Sequence, residues 1–474
     1  MNTIFWMGFR PTAPPIGHNA VRSEAARGVE LRCWRRSHAG PSGQFRISWG
    51  NRMPRLFAAG AAFFLLSATL LGQAPEAKPR ELSDDEKEFV ELCTEMQAAY
   101  TAFLVRGETI KDPTEAAKFV AEQDPASAFL ARMEAMEEKH RGTHLGLMIA
   151  RRLTHPSPSL LEGPRDASRR RMLLRLSDYA GFEELPELLR FLDAGAPEPA
   201  VEECLRSIIA SDKATEGNRL FASFMLARWS LAMSQMRPAT EGRLAEIKRG
   251  VAPRGPFEEK WITAHLALMP SPDRLDALQQ EATEILRSLS ESKSPYRQPV
   301  LKAIDRWGVV VQIDKESTQA QPLISQLAAG VLFKESHLRP SKPAPELELT
   351  FTTGEKWSLA DQKGKCVIIQ FSFKGCGPCE AMYPALRELA KEYGDRLSIV
   401  SIMADTSREE TVEAVASGKI TWGAHFDGKR GPICTEWAVK SFPTVYVFGP
   451  DGKVAEADFI PADQLKARVA ELLR

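Results

Sequence analysis

The chain has no excess of either charge: 62 Lys and Arg stand against 62 Asp and Glu, a formal net charge of zero. A balanced chain without a basic stripe offers nucleic acid no electrostatic footprint, so no nucleic-acid partner is expected. Apolar runs are scarce, and one stands out: Leu56–Gly72, LFAAGAAFFLLSATLLG, 17 residues long. That is slightly shorter than the roughly 20 residues a spanning helix needs. Cysteine is sparse, seven in 474 residues, and only Cys376 and Cys379 are near neighbours. No clean internal period near 34 residues is found, which excludes assignment to a named helical-repeat family.

What is present is ordinary for a globular chain, with 43% hydrophobic and 26% charged residues. The length suffices for two or three domains, each with its own core. Arg52 and Arg55 precede the apolar run, and small residues follow it in Gly72–Ala74. That order reads as a secretory signal over 53–74, starting at Met53. Pro75 hinders cleavage after Ala74, so a membrane anchor through 56–72 is the alternative. Either form places the rest of the chain on the outer, periplasmic side of the cell envelope. Residues 1–52 carry eight Arg and no helical or strand period. We read them as a non-native or disordered upstream extension.

From Ala74 to about 337 the texture is helical. Ser83 and Glu86 form an S-x-x-E capping box before FVELCTEMQAAYTAFLV. Apolar residues then recur at helical spacing, interrupted by THPSPS, GAPEP, MPSPD and SKSPY. The expectation for 75–337 is an all-helical module of eight to eleven helices, arranged as helical hairpins. Beyond the Pro-rich linker LRPSKPAPELEL, β-branched runs alternate with helical ones, which predicts a compact three-layer α/β/α domain over 338–474. The fold class is therefore α followed by α/β.

The stretch FSFKGCGPCEAMYP places Cys376 between the strand CVIIQFSF and a helix opening at Gly377 or Pro378. Free N–H groups and the macrodipole at a helix start favour a thiolate, the attacking species in disulfide exchange. Cys379 lies one turn on and can reach back to resolve a mixed disulfide. Pro378 suits the first turn, where its missing N–H costs nothing. In SFPTVYVF, Pro443 enters a strand after Phe442, a setting suited to a cis peptide.

Together PAPELEL, TGEKWSLADQKGK, CGPC, Pro384, SFPTVYVFGPDGK and the C-terminal helix resemble the TlpA/ResA group of exported thiol–disulfide oxidoreductases, of thioredoxin fold. The resemblance covers under a third of the chain. It implies a nucleophilic Cys376, a resolving Cys379, a cis Pro443 beside them, no dissociable cofactor and no metal. It further implies protein thiol or disulfide substrates and an upstream dithiol electron donor. From fold position, Phe442, Lys374, Gly377 and Pro378 border Cys376 as substrate contacts. CGPC is the dipeptide of reducing thioredoxins, with potentials near about −270 mV, which points to the reducing direction. Three departures stand out. Gly375 replaces the usual Trp before the first Cys, and Gln370 and Met382 occupy positions where relatives keep carboxylates. A proton for Cys379 would then pass through water or Glu380.

Two other functions compete. A redox-inactive scaffold would use the fold for binding only. A thiol peroxidase of the peroxiredoxin type would need Thr three residues before its Cys, where Phe373 stands. A zinc site would need four ligands, and Cys366, Cys434 and His425 are scattered. Cys366 and Cys434 are read as buried thiols, or as a structural disulfide at the end remote from Cys376. Cys93 and Cys204 are expected in the helical core, and Trp437 beneath the Pro443 loop. His140 and His144 have i, i+4 spacing, but Gly142 and charged neighbours mark a solvated helix end. The run Arg169–Leu176, RRRMLLRL, reads as a solvated helix start.

Overall fold

A computed structural model describes residues 81–474, except 155–163, 191, 193–196, 254–257, 304–310 and 459. The expected signal or anchor and the upstream extension lie outside the described residues. Among the described residues ten helices come first: α1 Asp84–Glu108, α2 Pro113–Gln123, α3 Ala126–Lys139, α4 His144–Leu153, α5 Pro164–Leu173, α6 Leu185–Leu189, α7 Pro199–Ala210, α8 Glu216–Lys248, α9 Glu258–Leu268 and α10 Pro272–Ser290. The short strands β1 Leu301–Ala303 and β2 Val311–Ile313 come next, then α11 Lys315–Gln319 and α12 Ile324–His337.

The capping box is formed, with Glu86 N–H donating to Ser83 Oγ at 3.3 Å and Ser83 N–H to Glu86 Oε2 at 2.8 Å. Helix α8 is the spine of this region, packed against α7, α9 and α10, while α10 packs on α12. Its buried face, with Phe221, Met225, Trp229 and Met233, joins Cys93, Cys204, Leu147 and Leu286 in one core. Both cysteines sit where helical spacing put them.

The region is largely helical, not all-helical. β1 and β2 pair antiparallel, Leu301 opposite Ile313, because Val311 and Ile313 are β-branched and Pro299 breaks the preceding helical texture. One further expectation fails here. Arg169 is only 3% exposed and ion-paired with Glu198, with its Nε donating to the Thr154 carbonyl at 3.0 Å. It sits in the second half of α5, where the solvated-start reading cannot hold. His140 caps the C-terminus of α3 and His144 opens α4, so they share no helix face; His140 Nε2 instead lies 3.6 Å from Asp85.

The remaining chain gives β3 Glu348–Thr350, β4 Lys356–Ser358, β5 Cys366–Ser372, α13 Gly377–Glu380, α14 Tyr383–Tyr393, β6 Leu397–Met403, α15 Arg408–Ala416, β7 Gly423–Phe426, α16 Pro432–Glu436, β8 Thr444–Phe448, β9 Val454–Glu456 and α17 Ala462–Leu472. Five strands form one sheet in the order β7-β6-β5-β8-β9. β5, β6 and β7 run parallel, and β8 and β9 run antiparallel to their neighbours. All seven residues of the central strand β5 are buried, as expected for a strand covered on both faces.

Alternation along β5 divides the core. Cys366 and Ile368 face Leu386 of α14 and Leu465 of α17, while Val367, Ile369 and Phe371 face Trp437 and Tyr446. Cys434 belongs to the second face and Cys366 to the first, so the sheet separates them and both are free buried thiols. Helix α12 docks on α16: a Cβ on Gly330 would lie 2.2 Å from the Thr435 carbonyl oxygen, so only glycine permits this crossing. Lys334 pairs with Asp458, and the Phe333 and Trp437 rings lie 6.4 Å apart. A cavity of about 600 Å³ beside this contact is lined by Arg297, Gln321, Phe333 and Arg430, and no residue of the Cys376 loop lines it.

Candidate active site

Strand β5 ends at Ser372, and the chain turns through Phe373–Cys376 before entering α13. The turn closes with Cys376 N–H donating to the Phe373 carbonyl at 3.1 Å. Gly375 takes φ +80°, a left-handed conformation that glycine adopts without strain. Cys376 is the N-cap of α13, and its Sγ accepts the Cys379 N–H at 3.3 Å. The two cysteines are joined in a disulfide, with Cα atoms 5.3 Å apart.

β8 pairs with β5 so that Thr444 lies opposite Phe371. That register carries Pro443 and Phe442 to the same sheet end as Cys376. The Phe442–Pro443 peptide bond is cis, and the Phe442 ring meets the Phe373 ring edge-on at 5.4 Å. Cys376 is 2% exposed and Cys379 0%. Gly377 and Pro378 are exposed beside the pair, and Phe373 and Phe442 are half-buried there. Lys374 borders the same rim, with its Nζ paired to Glu413 of α15 and its pKa raised by that contact.

The two substituted positions adjoin each other beneath Cys379. Gln370 Nε2 points at the Cys379 carbonyl at 3.5 Å and at Met382 Sδ at 3.9 Å. Ser401 Oγ donates to Gln370 Oε1 at 3.5 Å and accepts the Trp422 indole N–H at 2.8 Å. An amide and a thioether thus fill the space beneath Cys379. Glu380 does not turn inward, because its carboxylate accepts from Lys419 Nζ at 2.7 Å on the surface.

Four further side chains here escape a reading of sequence alone. Ser372 Oγ and Tyr383 Oη lie 3.2 Å apart, both buried, and burial raises the Tyr383 pKa. Trp422 meets Tyr383 edge-on at 5.7 Å. Asp405, 3% exposed, accepts the Lys374 backbone N–H at 2.6 Å. Only its place just after strand LSIVSIM hinted at it. Trp437 is fully buried among Phe371, Tyr446 and Phe448, under the segment leading to Pro443.

Comparison with known proteins agrees with this geometry. The AhpC/TSA family model matches residues 340–457. Thioredoxin-like protein YneN of Bacillus subtilis is 34% identical over 126 residues, covering 26% of this chain and 73% of YneN. Thiol-disulfide oxidoreductase ResA of Bacillus thuringiensis is 30% identical over 149 residues, covering 31% of this chain and 84% of ResA. Among solved structures, a thiol-disulfide oxidoreductase from Bacteroides fragilis is 25% identical and covers 28% of this chain and 99% of its own. Its TM-score is 0.26. The two curated relatives are matched over more than two thirds of their length, and through its C-terminal region this chain belongs to the thioredoxin-like thiol–disulfide oxidoreductases.

Proposed function

We propose that this chain is an exported reductant of protein disulfides, with Cys376 as nucleophile and Cys379 as resolving thiol. The observation that carries the reading is the closed Cys376–Cys379 pair at a strand-to-helix junction, with Cys379 N–H donating to Cys376 Sγ at 3.3 Å. In the reduced enzyme, that amide stabilises a Cys376 thiolate. The thiolate attacks one sulfur of a substrate disulfide, forming a mixed disulfide and expelling the other sulfur as thiolate. Cys379, deprotonated, then attacks Cys376 Sγ and releases the second substrate thiol. Two electrons have passed, and an upstream dithiol protein restores the pair. With Gln370 and Met382 beneath Cys379, water carries its proton.

Pro443, Phe442, Gly377 and Pro378 form the substrate edge, with Lys374 at its rim. We divide the chain into an upstream extension to 52, a signal or anchor over 53–74, a helical module of stacked hairpins over 75–337 and the thioredoxin-like domain over 338–474. The module serves as a platform that selects substrates on the periplasmic side of the envelope. No helix among the described residues is long and apolar enough to cross a membrane. The peroxidase reading is disfavoured by Phe373, whose ring packs on Phe442 where a peroxidatic site needs a Thr hydroxyl.

The test is equilibration of the full chain in graded glutathione buffers, followed by alkylation and mass spectrometry. A single two-electron transition of the Cys376–Cys379 pair near about −270 mV is the reductant outcome. Cys376→Ser should abolish exchange, and Cys379→Ser should accumulate mixed disulfides. A pair that never oxidises would leave the scaffold reading in its place, and exchange that persists in Cys376→Ser would show that Cys376 is not the nucleophile.

A further inference from the structure

The turn Phe373–Cys376 delivers the nucleophile, yet within the turn only one backbone hydrogen bond holds it. Its other anchor is a side chain from the neighbouring strand. Asp405 follows β6, whose Met403 pairs with Ser372 at the last register of β5. The Ala404 N–H donates to the Ser372 carbonyl at 2.8 Å, so the two chains stay locked one residue past the sheet. Asp405 Oδ1 then accepts the Lys374 N–H at 2.6 Å, and Oδ2 accepts the Thr411 hydroxyl at 2.6 Å. Thr411 is fully buried on α15 and Asp405 is 3% exposed, so each carboxylate oxygen has a directed donor away from water. Charge-assisted hydrogen bonds of this kind are short and about twice as strong as neutral ones.

We propose that Asp405 is a positioning residue for disulfide exchange, clamping the Lys374 amide so that Cys376 is held at the start of α13. The proposal rests on the reading of Cys376 as the nucleophile. Asp405 acts through the backbone and touches no reacting atom. Its carboxylate also adds negative charge to the neighbourhood of the Cys376 loop. The other charged or titratable groups there are Lys374 itself, Glu410 and Glu413 of α15, Tyr383 of α14, and Glu380 with its partner Lys419. Position and charge are separable by substitution. Asp405→Asn keeps an acceptor for Lys374 N–H and removes the charge, whereas Asp405→Ala removes both.

The experiment uses the full chain with two readouts. One is the pH dependence of iodoacetamide alkylation of reduced Cys376, followed on its own peptide by mass spectrometry. The other is the rate of exchange with oxidised glutathione. Asp405→Asn should exchange within about threefold of wild type, with a Cys376 titration midpoint lower than wild type because the negative charge is gone. Asp405→Ala should be slower by about tenfold, the loss of roughly one hydrogen bond's worth of positioning. Its midpoint should lie above that of Asp405→Asn, since the loosened turn weakens the Cys379 N–H contact to sulfur. If the two variants coincide in both rate and midpoint, or Asp405→Ala matches wild type, the positioning role is overturned. A wild-type chain that does not exchange at all sinks the oxidoreductant reading, while the alkylation arm still decides whether Asp405 positions Cys376.

Discussion

At the scale of single residues, the cysteines separate into two chemistries by environment alone. Cys376 caps a helix and accepts an amide, whereas Cys204 and Cys366 are enclosed by apolar side chains and burial pushes each thiol up to about 12. Burial raises Cys434 as well, helped by the carboxylate of Asp427. The folded pKa values thus exceed the unfolded value of about 8.5, so folding favours the protonated thiol. That contribution is complete below about pH 8.5 and is lost as pH rises towards about 12. Each such thiol should cost about 1.4 kcal/mol of unfolding free energy per pH unit within that window. Urea denaturation between pH 8 and 10 should show the decline, and Cys366→Ala should flatten it. A slope unchanged by that substitution would show that Cys366 is not the titrating group. Over the same range these thiols should resist alkylation in the native chain while reduced Cys376 reacts.

At the scale of elements, the segment that carries Phe442 and Pro443 depends on a five-residue helix too short to stand by itself. Asp427 supplies what α16 lacks, accepting the Ile433 N–H at 3.0 Å and the Cys434 N–H at 2.8 Å. Asp427→Ala leaves both donors orphaned and should cost about 1–2 kcal/mol. Because Trp437 ends this helix, its near-ultraviolet dichroism should weaken in parallel with the drop in denaturation midpoint. A variant within about 0.3 kcal/mol of wild type would mean that the helix is held by packing of Trp437 alone. Strand and helix identities here were legible beforehand: CVIIQFSF, LSIVSIM and TVYVF are β-branched runs of strand length. The pair β1–β2 was not, since three-residue strands carry too short a pattern to outweigh helical surroundings.

At the scale of the whole molecule, the helical and thioredoxin-like parts share an interface that the Pro-rich linker concealed. Leu338 is fully buried, and α12 presses on α16 through Gly330, Phe333 and Lys334. A segment beginning at Leu338 removes these three contacts, whereas one beginning at Ala320 keeps them. We expect the shorter segment to melt about 5 °C or more below the longer one. The glutathione equilibrium of Cys376 and Cys379 should be the same in both, because none of the lost residues belongs to the Cys376 loop. Equal melting temperatures would show that α12 contributes nothing to the second domain's stability.

The amino-acid sequence by itself determined the features that depend on near neighbours. These are the capping box at Ser83, the Cys376–Cys379 spacing at a strand-to-helix junction, and the β-branched run CVIIQFSF that forms β5. Local spacing dictates each of them, and tertiary context had only to agree. Tertiary structure alone decided which distant side chains meet. It set Gln370 against Met382, closed Asp405 on the Lys374 amide, buried Arg169 against Glu198, and put the sheet between Cys366 and Cys434. Those pairings follow from strand register and helix crossing, which bring together residues tens of positions apart and leave no periodic trace in the chain.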